Sequence, residues 1–187
     1  MKTVIGITGR VGVGKTYLVD GVLKINPTYD VIDLDKLGHY VLQKENVIKL
    51  LKEKYGDNII NKDNEVDRSK LGDIVFNDAK QLKELNKISH PYIKELAEYK
   101  IKESGARVIL MVGALIKEIG LLDRCDHTIV IIADNKKREA LMGSKKRIER
   151  FQETDEAYKS ITNHMFLNDF IKDGIEKFSI LVQNLVS

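Results

Sequence analysis

The eight residues Gly9-Arg10-Val11-Gly12-Val13-Gly14-Lys15-Thr16 constrain this chain more than any other stretch. They fit the pattern of a glycine, four residues, then Gly-Lys-Ser/Thr that cradles phosphate groups. Upstream, Val4 to Thr8 is a short β-rich run; downstream, Tyr17 to Leu23 carries apolar residues at helical spacing. Strand, glycine loop and helix follow one another directly. Glycines let the backbone turn so that its N–H groups meet anionic oxygens, and the helix that starts here adds the positive end of its dipole. Val11, Gly12, Val13, Gly14, Lys15 and Thr16 are therefore the candidate phosphate-binding residues. Lys15 would contact the β and γ phosphates of a nucleotide, and the Thr16 hydroxyl would ligate Mg²⁺.

A second strand is predicted at Tyr29 to Leu34, after the Asn26-Pro27 turn signal. Arg107 to Val112 and His127 to Ala133 are continuous apolar runs, as in strands buried on both faces, and read as central strands three and four. Ser160 to Asn163 is a candidate fifth strand, and Leu167 to Leu185 reads as a closing amphipathic helix. Strands alternating with helices predict an α/β fold with a parallel sheet of about five strands. Between the second and third strands, residues 36–104 have helical spacing, broken by a polar loop from Asp57 to Asp67. This insertion is either a substrate-binding lobe or ordinary helical cover for the sheet.

Asp33 and Asp35 fall at the predicted end of the second strand, in Val31-Ile32-Asp33-Leu34-Asp35. Alternation along a strand would put both carboxylates on one side, and ligands of open α/β sheets sit at the carboxyl ends of strands. Either could accept a proton from an attacking hydroxyl or orient a metal-bound water, or could simply cap the helix beginning at Lys36. Residues 135–156 are rich in Lys and Arg, including Arg138, Arg147 and Arg150. They form a solvated helix face or a segment that folds over bound nucleotide, where an arginine would neutralise the transferred phosphoryl group. His90-Pro91 is expected to start a helix, with His90 either structural or facing a ligand.

Composition removes other classes. The net charge is +3, from 31 Lys plus Arg against 28 Asp plus Glu, well short of the excess of a dedicated nucleic-acid binder. The single cysteine, Cys125, allows no intramolecular disulfide. The apolar part of the first eight residues is too short for a signal peptide, and nothing approaches the run of about 18 apolar residues that a membrane span needs. A cytoplasmic protein with a small anionic ligand, and with no nucleic acid or membrane partner, is expected; the sequence leaves its oligomeric state open.

With these motifs, the sequence resembles the dephospho-CoA kinase family. The likeness rests on Ile5-Gly6-Ile7-Thr8-Gly9 with its loop to Thr16, on Val31 to Asp35, on Val66 to Phe76, on His90-Pro91-Tyr92-Ile93, on Cys125-Asp126 and on Ile161-Thr162-Asn163. It implies a P-loop kinase fold that transfers the γ-phosphate of ATP to the ribose 3′-hydroxyl of dephospho-CoA with Mg²⁺, the last step of coenzyme A biosynthesis. It also implies one domain, with a core of 1–35, 105–135 and 158–187, a helical CoA-binding lobe at about 36–104 and a short lid at about 136–157. By the same likeness Asp35 is the general base, Asp33, Arg68 and His90 lie on the substrate side, Arg147 is the lid arginine and Asn163 lies close to the adenine. Three features depart from the family's pattern. Val112 stands where the third strand usually ends in an acid, the spacing from Arg147 to Gln152 is one residue longer, and Ala157-Tyr158 replaces an alanine-aspartate pair. Two alternatives stay open: another P-loop kinase for a nucleoside or nucleotide, and a nucleotide-binding module with impaired transfer.

Overall fold

The computed structural model describes residues 2–142, 149–162 and 164–187. Five parallel strands make one sheet: β1 (Thr3–Thr8), β2 (Asp30–Asp33), β3 (Val108–Val112), β4 (His127–Ala133) and β5 (His164–Asn168), in the order β2-β3-β1-β4-β5. The eight described α-helices are α1 (Lys15–Ile25), α2 (Leu34–Val41), α3 (Glu45–Tyr55), α4 (Arg68–Val75), α5 (Ala79–Glu103), α6 (Asn135–Met142), α7 (Asp155–Lys159) and α8 (Gly174–Val186). β1 sits in the middle, with Ile5 in register with Leu110 on one side and His127 on the other. Both faces of β1 and β3 are covered, which is why they read as unbroken apolar runs rather than alternating ones.

By backbone packing the chain falls into two compact units, Met1–Leu34 with Glu98–Ser187, and Asp35–Ala97. In the first, Ile5, Ile7, Leu110, Val112, Ile129 and Ile131 of the sheet pack with Leu18 and Val22 of α1 and Phe178 and Val182 of α8. Gly21 lets α1 lie close to α8, since a Cβ there would come within 2.5 Å of Ile175. The second unit is helical and centres on buried Val47, Leu51, Ile59, Val66, Leu71 and Val75. Its polar loop is tied at its C-terminal end: Gln43 exchanges hydrogen bonds with the Val66 backbone, and the Asp67 side chain caps α4 by accepting from Ser69 and Lys70.

Three expectations are corrected. First, the fifth strand is His164–Asn168, not Ser160 to Asn163, and Leu167 belongs to it rather than to the closing helix. β5 is an edge strand whose outward residues Met165 and Leu167 are apolar and exposed, so the period-2 signal that would have marked it is erased. Second, Pro91 lies inside α5, so His90 does not start a helix. The helix continues because Ser89, Ile93 and Ala97 keep one buried stripe at spacing four, while Lys87 and Pro91 are exposed, where water can serve the carbonyl that Pro91 leaves unbonded. Third, β2 ends at Asp33 and α2 begins at Leu34, so Asp35 is in the first turn of a helix and the two carboxylates are not related by strand alternation. Leu34 is 3% exposed and packs beside Gly113, which makes it an anchor at the start of α2.

Candidate functional site

The loop after β1 turns at Gly9, Gly12 and Gly14, with φ of 136°, 83° and 87°. Conformation and crowding both demand glycine here. A Cβ on Gly9 would run into the Ile131 carbonyl of β4, and one on Gly14 into the Asn168 amide at the end of β5. One on Gly12 would meet the Met142 and Arg138 side chains of α6 at 2.8 and 2.9 Å. α1 then opens at Lys15 with Gly14 as its N-cap and no side-chain cap. The first N–H groups of a helix have no acceptor inside it, and with the positive dipole end beside them they suit an anionic oxygen.

Lys15 folds back over this loop. Its ammonium donates to the Gly9 carbonyl at 2.7 Å and the Arg10 carbonyl at 2.9 Å. Thr16 is exposed at the second position of α1. The Val11 N–H donates to Gln152 Oε1 at 2.7 Å, which ties the loop to the segment after the cationic run. Arg10 and Arg138 both donate to Glu149 Oε1 at 2.5 Å. Arg138, only 2% exposed, also reaches the Val11 carbonyl at 3.2 Å.

Sequence reasoning missed Asn168. This 2% exposed side chain donates from Nδ2 to the Val13 carbonyl at 2.9 Å and accepts from the Phe170 N–H at 3.0 Å. Its signal was present: a polar residue ending the apolar run Met165-Phe166-Leu167, as Asp33 ends Val31-Ile32. The roles of Arg10, Arg138 and Glu149 had no comparable signal, because pairing between them depends on which helix packs on the loop.

At the carboxyl edge of the sheet, Asp33 is in register with Val112. The position that lacks an acid therefore has one directly beside it on the neighbouring strand. The Ala114 carbonyl, just beyond β3, accepts from Thr8 Oγ1 at 3.3 Å and from the buried Tyr158 hydroxyl at 3.0 Å. Burial, with Glu118 and Glu153 adding to it, pushes the Tyr158 phenol far above its ordinary value, so it remains a donor.

In the other unit, Asp35 lies on α2, Arg68 opens α4 and His90 is mid-way along α5. Arg147 and Asn163 lie outside the described residues. Among the described residues no group of three His, Cys, Asp or Glu side chains gathers as a metal cage. The donors at the carboxyl edge of the sheet and the start of α1, the Asp33 carboxylate and the Thr16 hydroxyl, are hard oxygens. They suit Mg²⁺, which commonly keeps waters and uses substrate phosphates to complete its shell.

A parallel sheet whose central strand feeds a glycine loop and an uncapped helix is the P-loop kinase fold. The family model for dephospho-CoA kinase matches residues 3–169, and the chain belongs to that family. The dephospho-CoA kinase of Borreliella burgdorferi is 36% identical over 134 residues, 71% of this chain and 63% of that protein, so the chain spans less than two thirds of that relative's length. The dephospho-CoA kinase of Fusobacterium nucleatum is 29% identical over 189 residues, covering 97% of this chain and 89% of its own. In fold, the chain is similar to the solved dephospho-CoA kinase from Campylobacter jejuni, with a TM-score of 0.69 and 23% identity over 100% of this chain and 98% of that one. Among the described residues no helix is long and apolar enough to cross a membrane.

Proposed function

We propose that this chain transfers the γ-phosphate of ATP to the ribose 3′-hydroxyl of dephospho-CoA, in the cytoplasm. The observation that carries the reading is the complete phosphate loop, with its three positive-φ glycines and folded-back lysine, in a chain of this family. In the transfer, the 3′-oxygen forms a bond to the γ-phosphorus, the bond from that phosphorus to the ADP oxygen breaks, and the hydroxyl proton passes to Asp35. Lys15 leaves the Gly9 and Arg10 carbonyls for the β and γ phosphates, where both partners are charged rather than the ammonium alone. Arg68 and His90 bind on the substrate side, and the roles expected of Arg147 at the phosphates and Asn163 at the adenine fall on residues outside those described. Thr16 with Asp33 or Asp35, through water, would hold Mg²⁺, which supplies neutralisation of phosphate charge.

One observation favours a second reading. Val112 is a buried aliphatic residue where the family's third strand ends in an acid, which suits a nucleotide-binding protein with impaired transfer. Against it stands Asp33, in register beside Val112 with a carboxylate at the same level. The deciding experiment is an ADP-release assay with ATP and Mg²⁺, run with dephospho-CoA and with adenosine, using Lys15→Ala as the blank. Release that requires dephospho-CoA and vanishes in the blank is expected. Preference for adenosine would point to a nucleoside kinase, and ATP binding with no release would favour the second reading. Asp35→Asn is expected to lower kcat by about 10²–10⁴-fold while ATP still binds; wild-type turnover would remove Asp35 as the base.

A further inference from the structure

We propose that Glu149 is the internal counter-anion of the phosphate loop, setting how tightly a nucleoside polyphosphate is held by competing with it for Arg10 and Arg138. This rests on the nucleotide-binding reading of the same loop. One carboxylate oxygen, Oε1 of Glu149, lies 2.5 Å from Nη2 of Arg10 and 2.5 Å from Nη2 of Arg138. Arg10 is part of the loop itself. Arg138 is pinned against the loop by the Val11 carbonyl, by Asn135 and by its packing on Gly12. Two guanidinium groups therefore converge on one anion beside the phosphate loop.

The chemistry of that anion is interchangeable with phosphate, since guanidinium recognises carboxylate and phosphate oxygens in the same forked geometry. Both arginines also have spare capacity: neither Nε has a hydrogen-bond partner among the described residues, although both atoms are buried. A second carboxylate, Asp155, stands 3.9 Å from Arg10, close enough to hold that side chain near the loop once Glu149 lets go. Glu149 is 21% exposed, so it can turn to water, while Arg138, 2% exposed, stays buried and Arg10, 20% exposed, keeps Asp155 beside it. In sequence it interrupts the cationic run Lys145-Lys146-Arg147-Ile148-Glu149-Arg150 with a single acid.

A purely structural ion pair and a competing counter-anion make opposite predictions for affinity. Removing a structural partner leaves the arginines disordered and weakens ligand binding, whereas removing a competitor strengthens it. The test is calorimetric titration of ATP and of adenosine into wild type, Glu149→Gln, Arg10→Ala and the double variant, with Lys15→Ala as the binding blank. Glu149→Gln is expected to bind ATP about tenfold more tightly, the scale of one charge-assisted pair no longer given up, with adenosine unchanged. Arg10→Ala is expected to weaken ATP, and in the double variant the gain from Glu149→Gln should shrink, because one of the two released cations is missing. Glu149→Gln that is folded and binds ATP no tighter than wild type overturns the proposal. If that variant fails to fold, Glu149→Asp, with its shorter reach, takes its place with the same expected direction and the same refuting result. Folded wild type that binds no ATP would overturn the nucleotide reading and this inference together; ATP binding by wild type with no gain in the Glu149 variant overturns the inference alone.

Discussion

Asn168 joins the end of the sheet to the phosphate loop, and its replacement should be felt in both. The side chain is 2% exposed and makes two hydrogen bonds to backbone, one to the Val13 carbonyl at 2.9 Å and one from the Phe170 N–H at 3.0 Å. Phe170 has a φ of 60°, a conformation that a bulky side chain holds only under constraint. Asn168→Ala leaves both backbone groups without that partner, at about 1–3 kcal/mol for each group left unsatisfied. A total loss of about 2–6 kcal/mol is expected, which for a chain of this length lowers Tm by roughly 4–24 °C. Asn168→Asp isolates one half of the effect: it keeps the acceptor for Phe170 and turns the donor toward Val13 into a carboxyl oxygen. Only the protonated acid can donate to the Val13 carbonyl, and burial also favours the neutral form, so the folded-state pKa of this carboxyl is raised. A raised carboxyl pKa gives stability that is present at low pH and lost as pH rises above the unfolded value. The Asp variant should therefore fall further behind wild type at pH 7.5 than at pH 4.5. Thermal unfolding at both pH values, followed by circular dichroism, reads this directly. An Ala variant within about 0.5 kcal/mol of wild type, below the cost of one buried unsatisfied group, or an Asp deficit that is flat with pH, would refute the role assigned to Asn168.

Gly12→Ala should be destabilised and bind nucleotide poorly, because its φ of 83° disfavours a side chain and the new Cβ would meet Met142 and Arg138 at 2.8 and 2.9 Å. A cost of about 1–3 kcal/mol, read by urea unfolding, is expected; a variant as stable as wild type would show that α6 does not press on the loop as described. Cys125, whose thiol burial pushes up to about 12, should resist alkylation at pH 8, where it stays protonated. Labelling by iodoacetamide is expected to be at least about tenfold slower in the native protein than in urea, where the thiol titrates near 8.5; equal rates would show that the site is open. The sign for stability follows: the raised thiol pKa contributes below the unfolded value and is lost as pH rises toward the folded one.

How much of this was legible in sequence depends on how local the cause was. The loop and its flanking strand and helix were readable because glycine spacing, Lys15 and Thr16 are fixed by the backbone they share. β3 and β4 were readable because strands covered on both faces carry unbroken apolar runs. β5 was displaced by a few residues because its exposed positions, Met165 and Leu167, are as apolar as its inner ones. Asp35 reads as a strand-end residue because nothing in Asp33-Leu34-Asp35 announces the turn into α2; it is the fit of Leu34 against Gly113, from a distant segment, that marks the change. Pro91 reads as a boundary for a sound local reason, and the buried stripe of Ser89, Ile93 and Ala97 overrides it.

The glycines of the phosphate loop show why a motif and its surroundings have to be read together. Each is demanded by a different neighbour: Gly9 by a carbonyl of β4, Gly12 by two side chains of α6, Gly14 by the amide of Asn168 on β5. The same neighbours then supply the polar contacts that hold the loop's shape, from Arg138 to the Val11 carbonyl and from Asn168 to the Val13 carbonyl. A phosphate cradle needs its backbone N–H groups kept available and pointed, and that requires the carbonyls on the other side of each peptide plane to be tied elsewhere. In this chain the tying is done by a buried arginine and a buried asparagine. Altering the asparagine should therefore change phosphate binding even without contact to the ligand, and Asn168→Ala, which keeps every charge in place, tests that principle.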